Sequence, residues 1–361
     1  PTPAMPFTLT GTATRVFTWT YTGVTPGSVI LTTTVTAMDA NSGFALTTGP
    51  LSAGPLVIQA PGVLAGSLAA PSFVSTGQYF TVSLTVTNEG EADVAVITAT
   101  VMATSGGAFA TKVNGSAPAG PLILAGGASQ TFVWTYSGTA AGAVVFSATG
   151  GGTTCGGTWV KALDRLSVTV QTRAALTGRL VATPQRISTG QGVVLTLTVS
   201  NSGTAAALGV GPLAIIVTGL GGVTYLDGPF PVMPADVAGL GRSVFTWTYT
   251  GASPGLVTWS TTLVGADGNS GLVVRAGPVV SNTVLVQDDA VIAGALSIPA
   301  GPLCTGRNFL VTLTVTNSGV ASATVLMAAA PLDDTGVVGL LAGPTPGMPF
   351  TLTGTATRVF T

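Results

Sequence analysis

Apolar and polar residues alternate with a period of two through much of the chain. In Val82-Ser83-Leu84-Thr85-Val86-Thr87 the aliphatic side chains share one parity and the hydroxyls the other. Phe132-Val133-Trp134-Thr135-Tyr136 places three aromatics on one face in the same way. A period of two belongs to strands with one face on a core and the other toward water. Such runs of five to eight residues alternate with Gly, Pro and Asn turns, the rhythm of a β-sandwich. Thr and Val favour strands, and 50 Gly and 23 Pro punctuate them. No window offers about 18 uninterrupted apolar residues, so no transmembrane segment is expected. The pattern predicts an all-β chain.

Two periods organise these strands. Residues 344–361 repeat residues 1–18 with one difference, Ala4 against Gly347. A shorter, diverged period of about 114 residues has three landmarks. Strands ending in Asn-x-Gly occur at Asn88–Gly90, Asn201–Gly203 and Asn317–Gly319. Aromatic strands follow the pattern Phe17-Trp19-Tyr21, Phe132-Trp134-Tyr136 and Phe245-Trp247-Tyr249, and these nine residues are the expected structural core. Gln59, Gln171 and Gln287 close an apolar run at the end of each unit. Three units make a super-repeat of 343 residues. The chain is thus expected to hold the C-terminal half of a domain (1–59), two whole domains (60–171 and 172–287) and the N-terminal part of another (288–361). Either the sequence is a window on a longer tandem array, or it is a subunit whose half-domains neighbours complete. Its start carries no initiator Met, basic n-region or apolar h-region, so a mature or internal segment is expected.

The segments at 76–94 (TGQYFTVSLTVTNEGEADV) and 124–150 (LAGGASQTFVWTYSGTAAGAVVFSATG) resemble CARDB-type bacterial cell-adhesion-related domains and other Ig-like repeats of prokaryotic surface proteins. The resemblance extends over essentially the whole chain. It implies seven-stranded immunoglobulin-like sandwiches in a head-to-tail array, secreted and projecting from or coating cells. It transfers no ligand residues.

Charge narrows the function. Lys and Arg number 11, Asp and Glu 12, together 6% of the chain, for a net charge of −1. An ordinary soluble domain carries about 25% charged residues. A nucleic-acid partner is not expected without a basic stripe. With no histidine, the commonest general base and metal ligand is missing, and no base activates a Ser or Thr nucleophile, so no enzyme is expected. Lys112 and Lys161 are too few for an isopeptide bond in every unit. Few titrating groups also imply a stability that changes little with pH.

Few residues remain as candidates for chemistry. Cys155 falls in a last-hairpin loop where another unit has Asn269; Cys304 falls in the turn where other units have Ser75 and Ser188. These loops belong to opposite poles of an Ig-like domain, so a disulfide between Cys155 and Cys304 of successive 343-residue copies is expected, against the alternative of two unpaired thiols. Asp39-Ala40-Asn41-Ser42-Gly43 and Asp267-Gly268-Asn269-Ser270-Gly271 alternate oxygen side chains, as a calcium loop does, with Asp288 and Asp289 nearby. Tight turns use the same residues, and the turn is the favoured reading. Asn114-Gly115-Ser116 is a glycosylation sequon. The functions that fit are an extracellular fibre or surface filament, the passive stalk of an adhesin, or a carbohydrate-binding module built on Trp159 and Trp259. The partners expected are other copies of the repeat and surface glycans, with no cofactor. An outer-membrane barrel fits less well, because a unit of this length is not hairpin periodicity.

Overall fold

A computed structural model describes residues 5–106, 109–120, 122–326, 328–331, 333 and 335–361, apart from the side chains at 96, 97, 104 and 159. Every regular element described is a β-strand. The chain divides into two compact units, Pro1–Val170 and Gln171–Thr361.

The first unit opens with strands β1 (Gly27–Thr33), β2 (Thr36–Met38), β3 (Ala45–Thr47) and β4 (Leu51–Ile58), with β1 paired to β4 and β2 to β3. A complete sandwich follows: β5 (Leu64–Ala69), β6 (Phe73–Ser75), β7 (Tyr79–Asn88), β8 (Val94–Ser105), β9 (Ala110–Ala117), β10 (Leu122–Leu124), β11 (Ser129–Gly138), β12 (Gly142–Thr154) and β13 (Gly157–Gln171). One sheet has the order β5-β7-β11-β9 and the other β10-β8-β12-β13-β6. With β5, β7, β11 and β9 as A, B, E and D, and β8, β12 and β13 as C, F and G, this is the order of an immunoglobulin constant-type sandwich. In the antiparallel pair β7–β11, Phe132 lies opposite Leu84, Trp134 opposite Val82 and Tyr136 opposite Phe80. Those six residues are buried with Val144 and Phe146 of the facing sheet in one core. The other parity carries hydroxyls that bond across strands, Thr85 with Thr131 at 2.9 Å and Thr87 with Ser129 at 2.8 Å. A nearly uncharged outer face is thereby kept polar.

The second unit repeats this plan with β14 (Leu176–Thr183), β15 (Arg186–Ser188), β16 (Gly192–Asn201), β17 (Ala207–Pro212), β18 (Ile216–Gly219), β19 (Gly222–Phe230), β20 (Ala235–Val237), β21 (Arg242–Ser253), β22 (Gly255–Asp267), β23 (Val273–Val280) and β24 (Val284–Gln287). Its sheets run β14-β16-β21-β19 and β15-β24-β22-β17-β20, with β18 and β23 also paired to β22. Phe245, Trp247 and Tyr249 lie opposite Leu197, Leu195 and Val193, and all six are buried. After it come β25 (Ile292–Ser297), β26 (Thr312–Asn317), β27 (Ala323–Val325), β28 (Phe350–Leu352) and β29 (Thr357–Phe360), arranged as β25-β26-β29 and β27-β28. Their small core is Val315, Phe350, Leu352 and Phe360.

The chain is therefore a series of Ig-like β-sandwiches, complete where both sheets are present. The segment 5–59 departs from the expectation for its aromatics. Trp19 is 50% and Tyr21 70% exposed, and Phe17 is only half-buried. Residues 18–26 form no strand, whereas the equivalent β11 and β21 are paired on both sides. Parity still puts these aromatics on one face, but among the described residues no second sheet covers it.

Candidate functional site

The strongest feature repeated along the chain is the place where each unit begins. It is built on the Asn of the Asn-x-Gly turn, which is buried although polar. Asn88 Oδ1 accepts the N–H of Val63 (3.2 Å) and Gly90 (3.1 Å), and its Nδ2 donates to the carbonyls of Ala92 (2.9 Å) and Leu124 (3.1 Å). Asn201 does the same with Ala175 (3.0 Å), Gly203 (3.1 Å), Ala205 (2.8 Å) and Val237 (3.3 Å). Asn317 repeats it with Val291 (3.1 Å), Gly319 (3.0 Å), Ala321 (2.8 Å) and Leu352 (3.4 Å). One amide side chain thus ties the residue before β5, β14 or β25, the turn that follows the Asn, and the last residue of β10, β20 or β28. A buried amide is tolerable only when satisfied in this way.

The closing glutamine reaches the same turn. Gln59 Nε2 donates to the Glu91 carbonyl at 3.3 Å, Gln171 to Thr204 at 3.0 Å and Gln287 to Val320 at 3.4 Å. The next residue is held as well, since Ala60, Thr172 and Asp288 accept the N–H of Ala92, Ala205 and Ala321 at 3.0 Å each. Ala60 N–H is taken by Glu91 Oε2 at 3.0 Å and Thr172 N–H by Thr204 Oγ1 at 2.8 Å. Val320 offers no side-chain oxygen to Asp288. Glycine is required in the turn by close approach: a Cβ on Gly90, Gly203 or Gly319 would lie 2.2, 2.0 and 2.1 Å from the carbonyl oxygens of Pro61, Arg173 and Asp289. In sequence, the Asn, Gly and Gln stand out only as landmarks of the repeat. Their partners are main-chain atoms, which leave no side-chain pattern to read.

The expected site residues fall elsewhere. Asp39 Oδ1 accepts the N–H of Ser42 (2.8 Å) and Asn41 (3.0 Å) and the Ser42 hydroxyl (2.9 Å). Asp267 Oδ1 accepts the equivalent N–H groups of Ser270 (2.8 Å) and Asn269 (3.2 Å) and the Ser270 hydroxyl (2.8 Å), while Oδ2 takes the Ala174 N–H at 2.8 Å. Both loops are Asx turns in which Oδ1 is engaged by the turn itself, and in Asp267 Oδ2 is engaged as well. Asn269 Nδ2 donates to Gln171 Oε1 at 2.9 Å, which joins this turn to the clamp. Asp288 and Asp289 are exposed, and no group of three potential ligands gathers among the described residues. Cys155, in the β12–β13 turn, and Cys304 are both exposed free thiols. Asn114 is exposed on β9, opposite Thr135. Trp259 is buried in the second core, which removes it as a sugar platform; the Trp159 side chain lies outside the described residues. An open groove of about 750 Å³ beside β14 and β23, lined in part by Leu176, Arg179, Gln185 and Asn282, contains no aromatic residue. No helix among the described residues is long and apolar enough to cross a membrane.

Titration follows from these contacts. The Ser42 N–H, the Ser42 hydroxyl and the Asn41 N–H hold Asp39 below its ordinary value. The Thr335 hydroxyl, then the N–H groups of Val338 and Thr335, bring Asp333 to about 2. Burial raises Tyr136 and Tyr249, the latter also through Tyr225. A lowered carboxyl stabilises the fold above its unfolded pKa of 3.8 and loses that contribution as pH falls toward the folded value. A raised tyrosine does so below its unfolded pKa of 10.0 and loses it as pH rises further. Melting temperature should therefore stay level between roughly pH 5 and 9 and fall on both sides. Calorimetric melts at unit pH steps check this, and a drop of many degrees between pH 6 and 8 would contradict it.

No family model matches the sequence, and no curated protein does. Among solved structures, the D00–D0 domain of intimin is 11% identical with a TM-score of 0.26, covering 63% of this chain and 100% of that one. Fibronectin(III)-like modules of Clostridium thermocellum CbhA are 13% identical with a TM-score of 0.26, covering 62% of this chain and 94% of that one. A protein of unknown function from Porphyromonas gingivalis W83 is 12% identical with a TM-score of 0.23, covering 59% and 98%. The Ig-like assignment rests on strand order in this chain, which these distant likenesses do not alter.

Proposed function

We propose that this is a structural protein of an extracellular fibre or surface filament, without catalytic activity, whose repeated sandwiches associate with further copies of the same repeat. The observation that carries the reading is the clamp: the same Gln, Asn and Gly make the same main-chain bonds at 59–92, 171–205 and 287–321. A device repeated at each entry to a unit serves serial joining. A disulfide from Cys155 of one copy to Cys304 of another belongs to the same proposal, as exposed thiols on a secreted chain allow it. A carbohydrate-binding module is less well supported, because the groove beside β14 offers no aromatic platform.

Electron microscopy of the native material tests the reading. Fibres with three beads per axial repeat of roughly 100–130 Å are expected if each sandwich adds about ten residues of strand length. Dispersed monomers under all conditions would overturn the filament and leave a passive adhesin stalk.

A further inference from the structure

Strand β14, inside the second sandwich, pairs with β16 over eight residues without a register shift, from Leu176 opposite Asn201 to Thr183 opposite Val194. No strand of the described residues pairs with its other side. In an antiparallel strand the N–H and C=O of one residue point to the same side, and successive residues alternate. The residues that point away from β16 are fixed by Ala182, which donates its N–H to Asn282 Oδ1 at 2.8 Å and accepts from Asn282 Nδ2 at 2.9 Å. Just before the strand, Ala174 donates to Asp267 Oδ2 at 2.8 Å. Between these capped positions Leu176, Gly178 and Leu180 turn their peptide groups outward, with no partner among the described residues. They form one wall of the groove of about 750 Å³, and Pro278 and Val279 of β23 form the other.

In the first sandwich the same edge is sealed. Leu68 lies opposite Leu84 as Leu180 lies opposite Leu197, and its N–H is taken by Asp164 Oδ2 of β13 at 2.6 Å. Strand β23 has no carboxylate to offer. Strand β13 runs unbroken over 15 residues, whereas β23 and β24 are separate, with Asn282 between them.

We infer that this edge takes an extended peptide segment of another protein as a further antiparallel strand between β14 and β23. The Asn282 carboxamide already exchanges a donor and an acceptor with Ala182, the exchange that defines an antiparallel pair. Asp164 supplies the equivalent of the incoming carbonyl at Leu68. The added segment offers main-chain groups to the next three outward residues, and side chains at alternate positions set its specificity. The two capped ends limit it to about five residues, those opposite 176–180. Arg179 is exposed and is the one charged residue among those described that line the groove, so the position opposite it favours a carboxylate. The edge of a second copy is a poor occupant. Strand β19, the opposite edge of the same sheet, shifts register three times along β21 and carries Pro229, which has no N–H to give. Such a site goes beyond the filament reading and does not depend on it, since a monomer binds the same peptide.

Hydrogen exchange and titration calorimetry on the full chain test it, with the synthetic peptide acetyl-Val-Glu-Val-Thr-Val-amide as probe. Its glutamate falls opposite Arg179 and its central valine opposite Gly178. In the free protein the Gly178 and Leu180 amides should exchange faster than those of Thr177 and Arg179, which face β16. Saturating peptide should slow both at least about ten-fold and leave the Leu68 amide, already bonded to Asp164, unchanged. The same peptide N-methylated at the central valine cannot donate at Gly178 and should bind at least about ten-fold more weakly. Lysine in place of the glutamate should weaken binding roughly two- to five-fold. Equal binding of the methylated peptide would overturn the proposal, as would slowed exchange confined to other residues. So would no binding at about 10 mM peptide, ten times a weak millimolar Kd. Protection of Gly178 and Leu180 that grows with protein concentration and without peptide would assign the edge to a second copy and overturn this occupant.

Discussion

Replacing Asn201 by alanine should cost the second sandwich about 3–4 kcal/mol. The substitution leaves the N–H groups of Ala175 and Gly203 and the carbonyls of Ala205 and Val237 without their side-chain partner in a buried place. Each orphaned group costs on the order of 1 kcal/mol. The loss should appear as a fall of roughly 15 °C in the transition of that sandwich by differential scanning calorimetry. Hydrogen exchange at Ala175 and Gly203 should quicken in the same variant. Asn201→Asp should be at least as harmful, because it keeps the acceptor, loses the bonds donated to Ala205, Val237 and Ala238 and buries a charge. A change of less than about 1 kcal/mol in both variants would mean that water replaces the amide, and the hub would lose its importance.

Gly203→Ala should be nearly as damaging, although it adds one methyl group. The new Cβ would stand 2.0 Å from the Arg173 carbonyl oxygen, and that atom is main chain. Relief requires moving the segment that Thr172 and Thr204 tie down through their hydroxyls and N–H groups. We expect a loss of about 3 kcal/mol, in the range of other changes that break a buried bond network. Gly192→Ala at the far end of β16, the strand that leads into this turn, is the control. Its Cβ would meet only the Tyr249 oxygen at 3.9 Å, so the change should be nearly neutral. Urea titrations of the two variants should separate widely, and coincident curves would show that the turn is not tightly packed.

The β-sandwich was legible because strand parity is a local property. Val82, Leu84 and Val86 face the first core as alternation requires, and Trp134 and Trp247 lie in cores for the same reason. Parity says which face a side chain takes and nothing about what lies beyond it. Trp19 has the same neighbours in sequence as Trp247 and is exposed, because cover comes from strands far along the chain. The Asp-x-Asn-Ser-Gly loops were ambiguous between calcium and turn. Their geometry is that of an Asx turn, with Ser42 and Ser270 each bonding one carboxylate oxygen of the aspartate through N–H and hydroxyl. The clamp was visible as the regular recurrence of Asn, Gly and Gln but not as a contact. Only the fold brings Gln171 beside Thr204 and the carbonyl of Arg173 beside Gly203.

The clamp has a mechanical corollary. An entropic spring needs slack residues between folded bodies, whose coiling shortens the tether at rest. At 287–288 there are none: Gln287 ends β24 and bonds to the Val320 carbonyl, and the next residue, Asp288, accepts the Ala321 N–H. The join at 59–60 is equally taut, with Gln59 held by Glu91 and Ala60 by Ala92. Tension applied there meets hydrogen bonds before it meets any extensible coil. A chain joined in this way would resist stretching at small loads and yield only when a sandwich opens, behaving as a cable rather than as elastic.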